Sequence, residues 1–211
     1  MTRPYVQRAR AEAAARTRRE ILDAARTALV SADRLDVAIG EVAAAAGVAR
    51  STIYIAFGSR AGLIAALTSD ALERGGLATV IGTYRSNDPV EAVEASLRAN
   101  CRMYAAEHAL LARLAALAAV DPDASGPIGR LNDGRSAAMS DLAARLEASG
   151  RLAPGLSVER AADVLSVLTA FGTFDELHAR RGLDDEACAD VLVAIARSAV
   201  IGTDERVAAP A

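Results

Sequence analysis

The sequence predicts an all-α protein of about nine helices. Three observations carry that expectation. Of its 211 residues 52% are hydrophobic but only 3% aromatic, and the apolar share is dominated by the helix formers Ala and Leu. Apolar side chains recur at helical spacing along most of the chain, while no run alternates with period two, so no strand is assigned. Gly, Pro and Asp/Ser clusters punctuate the sequence at intervals that suit helices of one to several turns.

The elements follow in order. Residues 1–15 carry Arg3, Arg8 and Arg10 against Glu12 without a stable apolar stripe, and are expected as a flexible basic arm. From Arg16, the pattern Ile21, Leu22, Ala25, Ala28, Leu29 marks a helix with one buried face. After a break at residues 31–34, with Asp33 suited to a left-handed turn, two short helices are expected at Ile39–Ala46 and Arg50–Ala56, separated by Gly47. Ser59 is placed to cap a longer helix carrying Leu63, Ile64, Leu67 and Ala71 inward. Pro89 opens a helix to about residue 106, and another runs from Ala109 to Val120. Residues 121–127, Asp-Pro-Asp-Ala-Ser-Gly-Pro, read as a loop before a helix at 128–149. An eighth helix is expected from Ser157 to Arg181 with Gly182 as its stop, and a ninth over 184–201.

Composition excludes several function classes. No apolar run approaches the eighteen or so residues that span a bilayer, and the Arg-rich N-terminus lacks a signal-like apolar segment, so a cytoplasmic protein is expected. Cys101 and Cys188 lie in no metal-spaced or C-x-x-C cluster and are expected as reduced core thiols; no metal or cofactor is expected. No phosphate-cradling Gly loop and no nucleophile with a recognisable base is present, so the chain is not expected to be an enzyme. The net charge of −3 divides unevenly. Residues 1–60 hold ten Arg against six acids, a balance of +4, and the remainder fourteen against twenty-one, a balance of −7. A basic head on an acidic body suits contact with phosphates at one end.

Residues 37–63, VAIGEVAAAAGVARSTIYIAFGSRAGL, have the grammar of a helix-turn-helix. Val42, Val48, Ile53 and Phe57 supply apolar contacts, Ala43 and Ala46 let the helices cross closely, and Gly47 permits a tight turn. Arg50, Ser51 and Thr52 then stand at the start of the second helix, the end that enters a major groove first.

Taken together, Val42-Ala43, Ala46-Gly47-Val48, Thr52-Ile53-Tyr54, Phe57, Ser59-Arg60 and Leu63 resemble the DNA-binding domain of the TetR family, over residues 16–72. The resemblance implies a helix-turn-helix domain at 16–60 and a ligand-binding and dimerisation domain at 61–211. It implies a homodimeric regulator, by default a repressor, bound to palindromic double-stranded operator DNA and released by a small molecule. Arg50 and Ser51 would meet base edges, Ile55 a thymine methyl, and Thr52, Tyr54 and Arg60 phosphates. Arg3, Arg8 and Arg10 could follow the neighbouring minor groove. Ala38 and Ala49 depart from the family, standing where hydroxylic caps are usual.

By the same resemblance an effector, expected to be small and largely hydrophobic, would lie among the helices between residues 90 and 180. Cys101, Tyr104 and His108, at i, i+3 and i+7, and Met139 are the candidate lining residues. The ligand would tilt the helix that starts at Ser59 and move the reading heads. The last two helices would hold the dimer together through Leu165, Leu168, Phe171, Gly172, Phe174, Val191, Leu192, Ile195 and Ala199. The rival reading is a helical interaction protein that has lost sequence-specific DNA binding, which the missing hydroxyls at Ala38 and Ala49 make conceivable.

Overall fold

The computed structural model describes residues 3–31 and 34–202. Among them are eleven α-helices and one π turn, and the only β pairing is an isolated antiparallel bridge between Leu152 and Ile201. The conformation expected of Asp33 falls outside the described residues. The chain forms two compact units. The first gathers the residues through Ala71 with Ala109–Gly129; the second gathers Leu72–His108 with the chain from Arg130 onward.

In the first unit, α1 spans Arg3–Ser31, so the segment expected as a flexible arm is helical from residue 3. Its composition explains the difference: Ala stands at 9, 11, 13, 14 and 15, and Arg8 bonds Glu12 one turn on at 3.0 Å. α1 buries Ile21, Leu22, Ala25 and Leu29, the stripe read from the sequence. The helices α2 (Ile39–Ala45), α3 (Arg50–Phe57) and α4 (Arg60–Gly75) follow. Val42, Ala43, Ile53, Leu63, Ile64 and Leu67 fill the core. Ser59 Oγ accepts from Gly62 N–H and caps α4. The unit is completed by most of α7 (His108–Val120) and the start of α8 (Pro122–Ala148). The predicted loop at 121–127 shrinks to one residue. Asp121 Oδ1 accepts from Asp123 N–H, Pro122 takes the first helical position and Asp123 the first turn, so this sequence starts a helix.

In the second unit a short helix absent from the expected set, α5 (Leu77–Thr83), begins at Gly76, whose φ of 109° only glycine adopts readily. α6 (Pro89–Ala106) is capped by Asp88, which accepts from Val90 and Glu91 N–H. The expected eighth helix is broken into α9 (Val158–Leu168), α10 (Phe171–Asp175) and a π turn at Glu176–Arg180. Side chains take the carbonyls at the break: Thr169 Oγ1 donates to Leu165 O, Arg135 Nη1 to Ser166 O, Thr173 Oγ1 to Val167 O and Tyr104 Oη to Thr169 O. With those acceptors occupied, Ala170 adopts extended backbone and the helix restarts.

α11 (Asp185–Ala199) is capped by Asp184, which accepts from Ala187 N–H. It packs antiparallel to α6, with the register fixed by Arg197 on Glu94, at 2.6 and 2.8 Å, and Arg98 on Asp190 at 2.7 Å. That register sets Cys101 level with Cys188 in the seam, both buried. Burial pushes the Cys101 thiol up to about 12 and raises that of Cys188, so both are protonated at neutral pH. Among the described residues no single helix is long and apolar enough to cross a membrane.

Candidate nucleic-acid interface and the helical body

The turn between α2 and α3 is set by hydrogen bonds that only a left-handed residue allows. Gly47, at φ 66°, donates to Ala44 O, and Val48 donates to Ala43 O, the paired closure of a Schellman motif. α3 thereby leaves the turn with Ile53 buried and Phe57 half-buried, and turns Arg50, Ser51, Tyr54 and Ile55 outward. At 100° per residue these four lie within one arc of the helix. Ile55 is 86% exposed, an unusual position for a large aliphatic residue with no contact of its own to fill. Tyr54 is half exposed, so its ring is not consumed by packing on α1. Thr52 lies beside this face, half-buried.

Two arginines that the sequence did not single out hold this helix and its neighbour. From α1, Arg18 donates to Ala56 O at 2.8 Å and stacks its guanidinium 4.2 Å from the Phe57 ring centroid, placing a cation on the C-terminal end of α3. From α7, Arg113 donates to Leu29 O and Arg34 O beyond the end of α1. Neither has a periodic or motif signal, since each is an Arg that reaches backbone carbonyls distant in sequence. Arg18→Ala is expected to lower thermal stability by about 1–2 kcal/mol, combining a charge-assisted hydrogen bond and a cation-π contact. Calorimetric unfolding of the two proteins measures the difference.

A further feature concerns Arg50. Its guanidinium lies over Gly40 of α2, where a Cβ would stand 2.5 Å from Nη2. Glycine at that position leaves room for the side chain to fold across α2. The first turns of α2 and α3 are uncapped, since neither Ala38 nor Ala49 offers a side-chain acceptor. Ala38→Thr and Ala49→Ser are each expected to stabilise by about 1 kcal/mol, read as a rise in melting temperature.

Arg60, expected on phosphate, is placed differently. Its Nε donates to Val37 O at 3.0 Å, its Nη2 to Asp36 and Asp121 at 2.8 and 2.7 Å, and its Nη1 to Asp123 at 3.3 Å. Three carboxylates hold it, raising its pKa above the ordinary arginine value, the bond it donates to Asp121 contributing most. The guanidinium thus joins the residues before α2 to the junction of α7 and α8 within the first unit, and its donors are committed there.

In the second unit, Cys101, Tyr104 and Met139 are all buried. Tyr104 meets Phe171 edge-on at 5.4 Å and Phe174 at 5.8 Å, and its hydroxyl donates to Thr169 O. The helix stops at Glu107, so His108 opens the next one, yet it joins the same aromatic group: it lies 5.9 Å from Phe171 and 5.0 Å from His178, and its Nε2 meets Asp175 at 2.7 Å.

The residues expected at a dimer interface separate into two sets. Leu165, Leu168, Phe174 and Leu192 are buried within the subunit and are core. They fell in the expected set because an apolar periodicity does not reveal which of two faces is covered. Ile195 is 43% exposed, Gly172 is exposed and Phe171 half-buried. The exposed apolar positions are Val167 on α9 and, on α11, Val191, Ala194, Ile195 and Ala199, one stripe at i, i+3, i+4 and i+8. Ser198 lies on the same side.

Residues 21–67 match the family model of bacterial regulatory proteins, tetR family. Over 67 residues the chain is 48% identical to the HTH-type transcriptional repressor LfrR of Mycolicibacterium smegmatis. The matched stretch covers 32% of this chain and spans 33% of that repressor's length. The fold as a whole is shared with solved structures of low identity. A TetR-family transcriptional regulator from Syntrophomonas wolfei aligns with a TM-score of 0.71 at 13% identity, covering 87% of this chain and 94% of that one. The regulator FadR of Bacillus subtilis, in complex with stearoyl-CoA, aligns with a TM-score of 0.65 at 18% identity, covering 83% and 95%.

Proposed function

Because residues 21–67 match the model of the tetR family of bacterial regulatory proteins, we propose that the chain is a dimeric transcriptional repressor of that family that releases a palindromic operator on binding a small ligand. The outward face of α3 carries this reading. It offers a guanidinium, a hydroxyl, a phenol and an exposed aliphatic group in one arc, the mixture that reads base edges and a thymine methyl while gripping phosphate. Arg50 and Ser51 are assigned to base edges, Ile55 to a methyl, and Thr52 and Tyr54 to phosphates. Arg60 is left out of the contact set because its three nitrogens already donate to Val37 O and to the carboxylates of Asp36, Asp121 and Asp123.

One head reads only a few base pairs, so two must be held at the spacing of successive major grooves. The exposed stripe of α11 with Val167 of α9 is the surface proposed to join two copies, and the small side chains Ala194, Ser198 and Ala199 would let the helices approach closely. The effector is assigned to the second unit, with Cys101, Tyr104, His108 and Met139 as its candidate neighbours. It would act by a population shift, favouring a head separation that the operator does not fit. The cytoplasm is where such a protein would meet its operator.

Selection of fragments from a random DNA pool by the purified protein tests the reading. Enrichment of a palindrome is expected, with Arg50→Ala and Tyr54→Ala each weakening binding to it by about 10–100-fold, or 1–3 kcal/mol. Affinity should fall steeply with salt as counterions compete. No enrichment even at low salt would overturn it and favour the helical interaction protein, a reading to which the uncapped starts of α2 and α3 lend support.

A further inference from the structure

Within the second unit the half-buried Arg135, on α8, has no acid partner within ion-pair distance among the described residues. Other guanidiniums of the unit do take acids, Arg98 with Asp190, Arg197 with Glu94, Arg145 with Asp141, and Arg180 and Arg181 both with Glu176. Arg135 instead uses Nη1 alone, donating to Ser166 O at 2.5 Å and Thr169 Oγ1 at 2.9 Å at the break after α9. Nε–H and the Nη2 donors have no acceptor among the described residues. Nε–H and one Nη2–H share an edge of the guanidinium plane, and that edge matches the two oxygens of a carboxylate.

The surroundings are polar in a limited way and apolar beyond. The hydroxyls of Tyr84 and Tyr104 both feel the Arg135 charge, which offsets part of the rise that burial imposes on them. Asn100, buried on α6, engages Tyr84 and donates to Ser96 O. One turn along α8 from Arg135 stands Met139, fully buried, on the same side of the helix. Tyr104 links the polar group to Phe171 and Phe174. A single monovalent cation beside neutral hydroxyls and amides, with thioether and aromatic surface adjoining, is suited to one negative charge on an otherwise apolar molecule.

We propose that the effector is an apolar monocarboxylate whose carboxylate is held by the free Nε/Nη2 edge of Arg135 and whose hydrocarbon lies toward Met139, Tyr104 and Phe171. This rests on the assignment of the effector to the second unit, and names the class of ligand that assignment left open. Arg135 is then the residue that sets ligand class, a role not legible in sequence because an Arg on an acidic helical body reads as a solvated surface residue.

The test uses the full-length protein and calorimetric titration with saturated straight-chain carboxylates of six to fourteen carbons and with arylalkanoates, each beside its primary amide. At least one acid is expected to bind about ten-fold or more tightly than its amide, the worth of a charge-assisted bidentate pair. Arg135→Gln should remove that preference while leaving the amide's affinity within a factor of about three, and Arg135→Lys should recover only part of it. Equal binding of acid and amide, binding of neither across the panel, or a preference that survives Arg135→Gln would each overturn the proposal. If Arg135→Gln unfolds through loss of its bonds to Ser166 and Thr169, the comparison of acid with amide on the unsubstituted protein still decides it. No DNA is present, so its failure is distinct from that of the regulator reading, which fails instead if the protein selects no operator.

Discussion

For the dimer proposed through α11, Ile195→Glu is expected to give a monomer at micromolar concentration and to abolish tight operator binding, while Leu192→Ala leaves the assembly intact and weakens the fold. The two positions are three residues apart on α11, but Leu192 is 2% exposed and Ile195 43%. Truncating Leu192 removes packing from the interior of one subunit and should cost about 2–5 kcal/mol of stability through the cavity left behind. A carboxylate at 195 touches little of that interior. In a two-fold interface each substitution counts twice, so two glutamates would have to be buried near one another without partners, at several kcal/mol each. A dimer dissociation constant raised by about a thousand-fold, equivalent to about 4 kcal/mol, is therefore expected. Operator affinity would fall with it, because each head alone contributes only half of the contacts. Sedimentation of the two variants checks the division. A dimer that survives Ile195→Glu would place the interface elsewhere.

The same pair of residues shows where the sequence was legible and where it was not. Apolar periodicity located α1, α4, α6, α7 and α11, and the cap at Ser59, the opening Pro89 and the helix start at Ser157 were recognisable from residue type alone, whereas the cap Asp88 came only with the structure. It could not say which of two apolar faces on α9 and α11 is turned inward, because both are built from Val, Leu, Ile and Ala, and the choice depends on neighbours far away in sequence. Local punctuation misled in two places. Asp121-Pro122-Asp123 reads as a turn by composition, yet the same three residues are a capping Asp, a first-position Pro and a first-turn acid. At residues 166–170 there is no Gly or Pro to announce a break; it is imposed by Arg135, Tyr104 and hydroxyls that claim the carbonyls.

The helix-turn-helix was the most legible part, because its constraints are local. Gly47 must be left-handed, Ile53 must face in, and the intervening positions of an eight-residue helix then have only one way to point. The motif carried Arg60 along with it, since a basic residue after Ser59 fits the family pattern whatever it touches. What pattern matching does not register is that Asp36, Asp121 and Asp123 converge on that residue from segments up to sixty-three positions away.

Arg60→Gln is accordingly expected to act first on stability. At neutral pH the substitution leaves Asp36, Asp121 and Asp123 facing one another across the space of a lost cation, and Val37 O loses its donor. The side chains of Arg60 and Asp121 are only about a fifth exposed, so solvent does not screen the pair fully. A loss of about 2–3 kcal/mol is expected, below the range for a wholly buried pair. The sign of its pH dependence follows from Asp121, whose pKa is lowered mainly by its bond to Arg60. A carboxylate held below its unfolded value contributes stability that is fully present above that value, near 3.8, and is lost as pH falls through the folded one. In the unsubstituted protein this contribution therefore disappears on acidification below about pH 4. In Arg60→Gln the carboxylates repel instead, protonating them relieves the repulsion, and the deficit should be largest near neutrality and shrink below pH 4. Melting temperatures of both proteins between pH 3 and 7 measure it. A deficit that stays constant across that range would remove the carboxylate cluster from the account and leave only the hydrogen bond to Val37. A protein of undiminished stability whose DNA affinity alone falls would return Arg60 to the phosphate.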